Sequence, residues 1–266
     1  MNNIKKQFLG FYYTPSLFEN ILGINQFEFE NIDIGNINID IQIQKKLPLG
    51  KRIEYFFEEY IKHSSKYELK YKNIQVIKDK NTLGEIDFIL YDKANKKYIH
   101  TELVYKYYLY DTSFENEIDR YIGPNRNDTL VKKLNKLKEK QFPLLFNDQT
   151  KQYIDIDFSN IYQNNSFKAN IYLPYKKDVN INIVNKKCVK GFYINFEQFK
   201  KEDEFKNYKY YLPHRYDWVS SIDKQIQYIE YEESLKYIEY FLNLKKSPLV
   251  WLKDDEVYKE FFITWW

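Results

Sequence analysis

The sequence predicts an α/β fold, and three observations carry that expectation. Residues 50–63 repeat apolar side chains at a helical period. Three strand-like runs follow, over 67–77, 84–91 and 97–109. A second helical pattern then spans 127–141. Helix, strand, strand, strand and helix in succession imply a sheet covered by helices. The chain of 266 residues suits one large domain, or a core of ~150 residues with additions. The expected division is 1–46, 47–145 and 146–266, with the middle part as the core.

Each element has its own justification. Residues 3–22 form an apolar stretch broken at Pro15, which reads as a short helix, a turn and a second short helix. Over 27–46 the apolar positions alternate, and their parity switches at Gly35-Asn36, so a hairpin is expected. Ile53, Phe56, Phe57 and Tyr60 recur at i, i+3, i+4 and i+7 and define the helix over 50–63, with Glu54 at the rim of the stripe. Asp92-Lys93-Ala94-Asn95 supplies the turn between the second and third strands. Leu130, Leu134 and Leu137 line one side of the helix over 127–141 and Lys132, Lys136 and Lys140 another, and Pro143 is expected to end it. Beyond 150, several strands and one helix near 231–246 precede two final strands, 248–252 and 257–265.

Composition excludes several classes. Hydrophobic residues make up 44% and charged residues 30% of the chain, so it can bury a core rather than remain disordered. A formal charge of +3 excludes a strongly basic tail. Cys188 is the single cysteine, which rules out an intrachain disulfide and a Cys-rich zinc site. His63, His100 and His214 lie far apart, so a metal site would use carboxylates and a hard ion such as Mg²⁺. Of these histidines, His63 is read as a cation at a helix C-terminus, His214 as a loop residue and His100 as packing. No run approaches a membrane span, and the segment opening at Met1 lacks the features of a signal peptide, so a cytoplasmic protein is expected. The 27 tyrosines set against 7 glycines fit drift from an A/T-rich coding sequence, so aromatic or lysine clusters alone say little.

The chemistry lies in the second and third strands. Side chains on a strand repeat every two residues, so Glu85 shares a face with Asp87, and Glu102 shares one with Val104 and Lys106. A hairpin that sets Asp87 beside Glu102 makes two carboxylates converge, with a predicted separation of ~6 Å or less, and such a pair can hold Mg²⁺. A nearby lysine can orient water or stabilise a phosphate. Gln141 interrupts the apolar stripe of its helix and Lys133 flanks it, so both are candidates to point at the pocket. Lys132, Lys136 and Lys140 are either a solvated face or a nucleic-acid contact. Asn125 and Asp128 read as a turn and a helix N-cap.

These residues resemble a known family. Leu49-Gly50-Lys51-Arg52-Ile53-Glu54, Thr82-Leu83-Gly84-Glu85-Ile86-Asp87-Phe88 and Glu102-Leu103-Val104-Tyr105-Lys106-Tyr107-Tyr108-Leu109 come in the order seen in the bacterial domain of unknown function 1853. Gly123-Pro124-Asn125-Arg126-Asn127-Asp128, the helix with Lys133 and Gln141, and the ending Tyr258–Trp265 continue the likeness. The wider pattern is similar to the PD-(D/E)XK nuclease superfamily. The resemblance implies a restriction-endonuclease-like core, a mixed central sheet flanked by helices, with N- and C-terminal extensions. It implies metal-dependent phosphodiester cleavage of nucleic acid, with Asp87 and Glu102 as ligands of Mg²⁺ or Mn²⁺ and Glu54 as an outer ligand or water acceptor. Where Glu-X-Lys would put the lysine stands Val104, and Lys106 is the nearest lysine on the same face, expected to serve in catalysis. Glu85, Lys133 and Gln141 would form a secondary site. Two other readings remain open: an inactive module of the same fold that binds nucleic acid or a protein, favoured by Val104, and a hydrolase of a small phosphorylated molecule, which a closed pocket would favour.

Overall fold

The computed structural model describes residues 3–18, 20–21, 23–39, 41–44 and 46–266. In chain order they form α1 (Asn3–Tyr13), β1 (Asn20–Ile21), β2 (Ile24–Gln26), α2 (Leu49–His63), β3 (Tyr67–Lys78), β4 (Asn81–Asp92) and β5 (Lys97–Tyr110). Then come β6 (Tyr121–Ile122), α3 (Leu130–Lys136), a π-helical turn at Leu137–Gln141, α4 (Phe142–Leu144), β7 (Ile161–Pro174) and β8 (Val189–Asn195). The chain closes with α5 (Phe196–Lys201), β9 (Lys209–Tyr211), β10 (Ile229–Glu230), α6 (Tyr231–Asn243), β11 (Leu249–Asp254) and β12 (Val257–Thr264). It is a mixed α/β protein in two compact units. One comprises the residues up to Pro15, Lys106–Val131 and Ala169–Trp266, and the other Ser16–Tyr105 and Lys132–Lys168.

The second unit has its strands in the order β7, β5, β4, β3. Strands β3, β4 and β5 form an antiparallel meander, and β2 adds to β7 in parallel. The first hairpin closes through Asp79 and Lys80, both at positive φ (47° and 65°), the conformation that a two-residue hairpin turn requires. The second closes where the Asp92 carboxylate accepts the N–H groups of Ala94 and Asn95, at 3.0 Å each. That turn fixes the register Phe88↔Thr101. Asp87 and Glu102 stand one residue beyond that last registered pair on their two strands. Helix α2 buries Ile53, Phe56, Phe57 and Tyr60, and Phe57 meets Phe88 edge to face at 4.8 Å. Val76 on β3 and Ile86 and Ile89 on β4 pack with Leu144 and Leu145. Gly84 permits this approach: a Cβ there would lie 2.8 Å from Leu144 Cδ2.

The first unit orders its strands β10, β9, β11, β12, β8, β7, with β12–β8 and β8–β7 parallel and the others antiparallel. Helices α5 and α6 cover a core of Phe199, Phe205, Tyr210, Ile238, Phe261 and Ile263. Cys188 is buried, and its thiol donates to Pro15 O at 3.7 Å rather than joining a disulfide.

Four expectations need correction. No second helix follows Pro15 among the described residues; Leu17 N–H donates to Phe167 O at 2.7 Å, and Asn20–Ile21 is a strand. The expectation at Glu19 and Leu22 lies outside the described residues, as does the segment start at Met1-Asn2. Among the described residues, the hairpin over 27–46 forms only its turn, with Asn36 N–H donating to Asp33 O at 3.2 Å. Its alternation serves packing instead: Phe27 and Phe29 lie on the rings of Phe57 and Tyr60, and Ile37 and Ile39 are buried. Asp40 and Lys45 lie outside the described residues. Pro143 does not end the helix. The wider turn at Leu137–Gln141 absorbs the missing N–H and the ring, and α4 continues with Pro143 in its first turn. Finally, α5 is a second helix beyond 150, capped by the Asn195 side chain, which accepts Glu197 N–H at 2.9 Å. Six residues are too few to show a helical period.

Candidate functional site

The meander places a carboxylate pair inside the second unit. Asp87 projects from β4 and Glu102 from β5, and the two carboxyls are in hydrogen-bonding contact. Asp87 Oδ2 accepts Leu103 N–H at 2.9 Å. Glu102 is fully buried, at 0% exposure. Its Oε1 takes the Nε2–H of His100 at 2.8 Å, and its Oε2 takes the amide N–H of Gln141. Burial, reinforced for Asp87 by the charge of Glu102, pushes each carboxyl up to about 7, while Lys133 pulls both back. Two carboxylates this close in a dry site repel each other when both are charged, which a shared proton or a cation relieves.

Around the pair runs a chain of side-chain hydrogen bonds. The Gln163 amide donates to His100 Nδ1 and to Phe142 O, both at 2.8 Å. That leaves Nδ1 as acceptor and assigns the proton to Nε2, so His100 is neutral and donates to Glu102. Burial agrees, holding the imidazole down at about 4. On the other side, Lys133 donates to Gln141 Oε1 at 2.7 Å, so its charge is anchored through Gln141 to Glu102. Gln141 closes the π-helical turn and is buried with Leu137, on the inward side where Leu130 and Leu134 also lie.

The remaining candidates divide. Glu54 belongs to the outer part of the site. The Asp87 charge reaches it, burial raises its carboxyl, and it accepts from Lys51 and from Asn73 at 3.0 Å. Lys51 also pairs with Glu85 at 2.8 Å, so Glu85 is tied to a lysine rather than to Asp87. Lys106 lies in the first unit, where Asp128 holds its ammonium. Within the second unit, the Lys133 charge acts on both carboxyls of the pair. Val104 is buried two residues beyond Glu102. Lys132, Lys136 and Lys140 are exposed, and the Lys136 charge reaches Glu102. His63 contacts Glu59 at 3.3 Å at the end of α2, and His214 is an exposed loop residue.

Sequence reasoning missed two members of the network. His100 reads as packing in the sequence, yet it stands two residues before Glu102 and so shares its face. Gln163 is 63 positions from its partner, and no local signal marks it. Gln141 holds the network together. Gln141→Ala strips a donor from Glu102 and an acceptor from Lys133, and should cost about 1–3 kcal/mol in urea unfolding at pH 7. An unchanged midpoint would show that the hydrogen bonds contribute nothing net.

Fold and site together define a mixed α/β protein organised around a buried two-carboxylate centre with a lysine facing it. The chain belongs to the family described as a domain of unknown function, DUF1853, whose model matches residues 3–255. No curated protein and no solved structure matches it. Among the described residues, no helix is long and apolar enough to cross a membrane.

Proposed function

We propose that the chain is a nuclease-like protein of the PD-(D/E)XK kind, with a restriction-endonuclease-like core, that hydrolyses phosphodiester bonds of nucleic acid with Mg²⁺ or Mn²⁺. The observation that carries this reading is the Asp87–Glu102 pair: two buried carboxyls in contact, both held near neutrality, with Lys133 close by. Hard oxygen donors suit Mg²⁺, which keeps several waters and is commonly held by one or two carboxylates plus substrate phosphate. The described residues contain no group of three or more His, Cys, Asp or Glu placed to hold a metal, so water and substrate oxygens would complete the shell. When bound, the ion supplies Lewis-acid polarisation of the phosphoryl oxygens and a more acidic water.

The chain's own residues divide the rest of the work. Asp87 and Glu102 bind, while His100 and Gln141 hold Glu102 in one orientation. Lys133 offsets charge that develops on the phosphoryl oxygens. Glu54, hydrogen-bonded to Lys51 and Asn73, accepts a proton or positions water. Lys132, Lys136 and Lys140 contact backbone phosphates. If they do, log Kd for DNA should vary with log salt, and Lys132→Ala with Lys136→Ala should lower the slope by about 2, near 0.9 per phosphate contact. A slope unchanged by both substitutions would leave these lysines as a solvated face.

The second reading is an inactive module that binds nucleic acid. Val104 and the engagement of both Glu102 oxygens favour it. One experiment separates the two. The purified chain is titrated with Mn²⁺ by calorimetry and then incubated with labelled single-stranded DNA, duplex DNA and RNA, with Mg²⁺, Mn²⁺ or EDTA. Metal binding that is lost in Asp87→Asn, together with metal-dependent cleavage, supports the nuclease. Nucleic-acid binding with neither metal uptake nor cleavage supports the module.

A further inference from the structure

The first unit carries a cavity that the carboxylate pair does not use. Along β12, Tyr258, Glu260 and Phe262 fall on one face by strand alternation. Above them lies a pocket of about 520 Å³ lined by Lys190, Ile222, Lys224, Tyr258 and Glu260, among others. It shares Lys190, Ser221 and Glu260 with an inner cavity of about 50 Å³ walled partly by Trp218 and Ser220.

The chemistry of this pocket is differentiated. Glu260 Oε1 accepts the Tyr172 hydroxyl at 2.8 Å, which leaves Oε2 for a ligand. Burial lifts the carboxyl above its ordinary range, and Lys190 is the opposing charge. Ser220 is 6% exposed, and its Oγ has no hydrogen-bond partner among the described residues. A buried hydroxyl in that state asks for a ligand or water. At the mouth, the Lys224 ammonium lies 4.9 Å from the centroid of the Tyr258 ring. The inner end therefore takes a hydrogen-bond donor, the wall takes a flat ring, and the mouth takes an anion.

We propose that this pocket binds a nucleotide whose base carries an exocyclic amino group. The amino group donates to Glu260 Oε2 and meets Ser220, the base lies along Tyr258 and Ile222, and the phosphate sits between Lys190 and Lys224. The nuclease reading above enters only in making a nucleic-acid strand one source of that nucleotide; a free nucleotide is the other.

Fluorescence of the full chain, in which Trp218 lies in the inner wall, is titrated in EDTA with dAMP, dCMP, dTMP and a short single-stranded DNA. Adenine and cytosine nucleotides should bind about tenfold tighter than dTMP, which lacks the amino group. Glu260→Gln should erase that preference, because an amide oxygen accepts less strongly than a carboxylate. Lys190→Ala with Lys224→Ala should weaken all nucleotides alike and flatten their salt dependence. These lysine changes lie on exposed side chains, so they remain informative if Glu260→Gln fails to fold. An oligonucleotide that binds about tenfold tighter than dAMP, with the gain lost in Lys190→Ala with Lys224→Ala, identifies a strand as the source, and equal affinity identifies a free nucleotide; both support the pocket. Asp87→Asn should leave the dAMP, dCMP and dTMP titrations unchanged, which separates failure of the pocket from failure of the hydrolytic reading. No titration at millimolar nucleotide, or equal affinity for dCMP and dTMP, overturns the proposal.

Discussion

Asp87→Asn is expected to raise the melting temperature of the metal-free protein at pH 8 while lowering any Mg²⁺- or Mn²⁺-dependent cleavage by about 10³-fold or more. The two effects have one cause. Ordinary Asp and Glu carboxyls titrate near 4, whereas burial and mutual repulsion hold Asp87 and Glu102 up at about 7. A group whose pKa rises on folding contributes stability that is complete below its unfolded value and lost as pH rises through its folded value. The metal-free protein should therefore lose stability between pH ~4 and ~7 and stay at the lower level at pH 8. Asn is neutral throughout. It retains an oxygen for Leu103 N–H, and its amide can donate to Glu102, so the network stays satisfied. The gain should be on the order of 1–2 kcal/mol at pH 8, a rise of about 2–6 °C, and should shrink at pH 5. Saturating Mg²⁺ should stabilise the natural chain and not the variant. A variant that melts below the natural chain at pH 8 in EDTA would mean the pair is not held at a cost.

The parts of this site that could be read in the sequence are those set by local periodicity. Period-2 alternation placed Asp87 and Glu102 on two strands, and the Asp92 turn fixed their register, because its side chain caps its own loop. The 3.6-residue period found α2 and α3, and it marked Gln141 as a polar residue on an apolar stripe. What could not be read depends on contacts distant in sequence. The partner of Lys106 is Asp128, 22 residues away, and the partner of His100 is Gln163, 63 residues away. The π-helical turn escaped for a different reason. Proline normally ends a helix, and only the fit of α4 against Gly84 shows that the helix continues past it. The alternation over 27–46 misled because the same pattern that suits a strand also seats Phe27 and Phe29 on α2. Ladder and packing compete for one signal there, and packing on the Tyr60 and Phe57 rings wins.

Lys133 and Lys106 offer the sharper test of how the site is built. Lys133→Met should reduce metal-dependent cleavage by about 10²–10⁴-fold, whereas Lys106→Met should change it less than about tenfold. The Lys133 ammonium donates to Gln141, which in turn donates to Glu102, and its charge lowers the pKa of both carboxyls. Methionine keeps the length and apolar stem but removes the charge and the donor, so Gln141 Oε1 loses its partner. Without that charge the Asp87–Glu102 pair should titrate higher. The stability lost on deprotonation then grows, and the variant should be less stable than the natural chain at pH 8, with the gap closing near pH 5. Lys106 pairs with Asp128 where both side chains are about one-third exposed, at 33% and 36%. Such a pair contributes about 0–1 kcal/mol, and Lys106→Met should show no comparable pH-dependent gap. The combined readout separates a catalytic lysine from a merely structural one, because lost packing at residue 133 would destabilise equally at pH 5 and pH 8. Cleavage that survives Lys133→Met but vanishes with Lys106→Met would return the role to the strand lysine, and would require Lys106 to leave Asp128 when substrate binds.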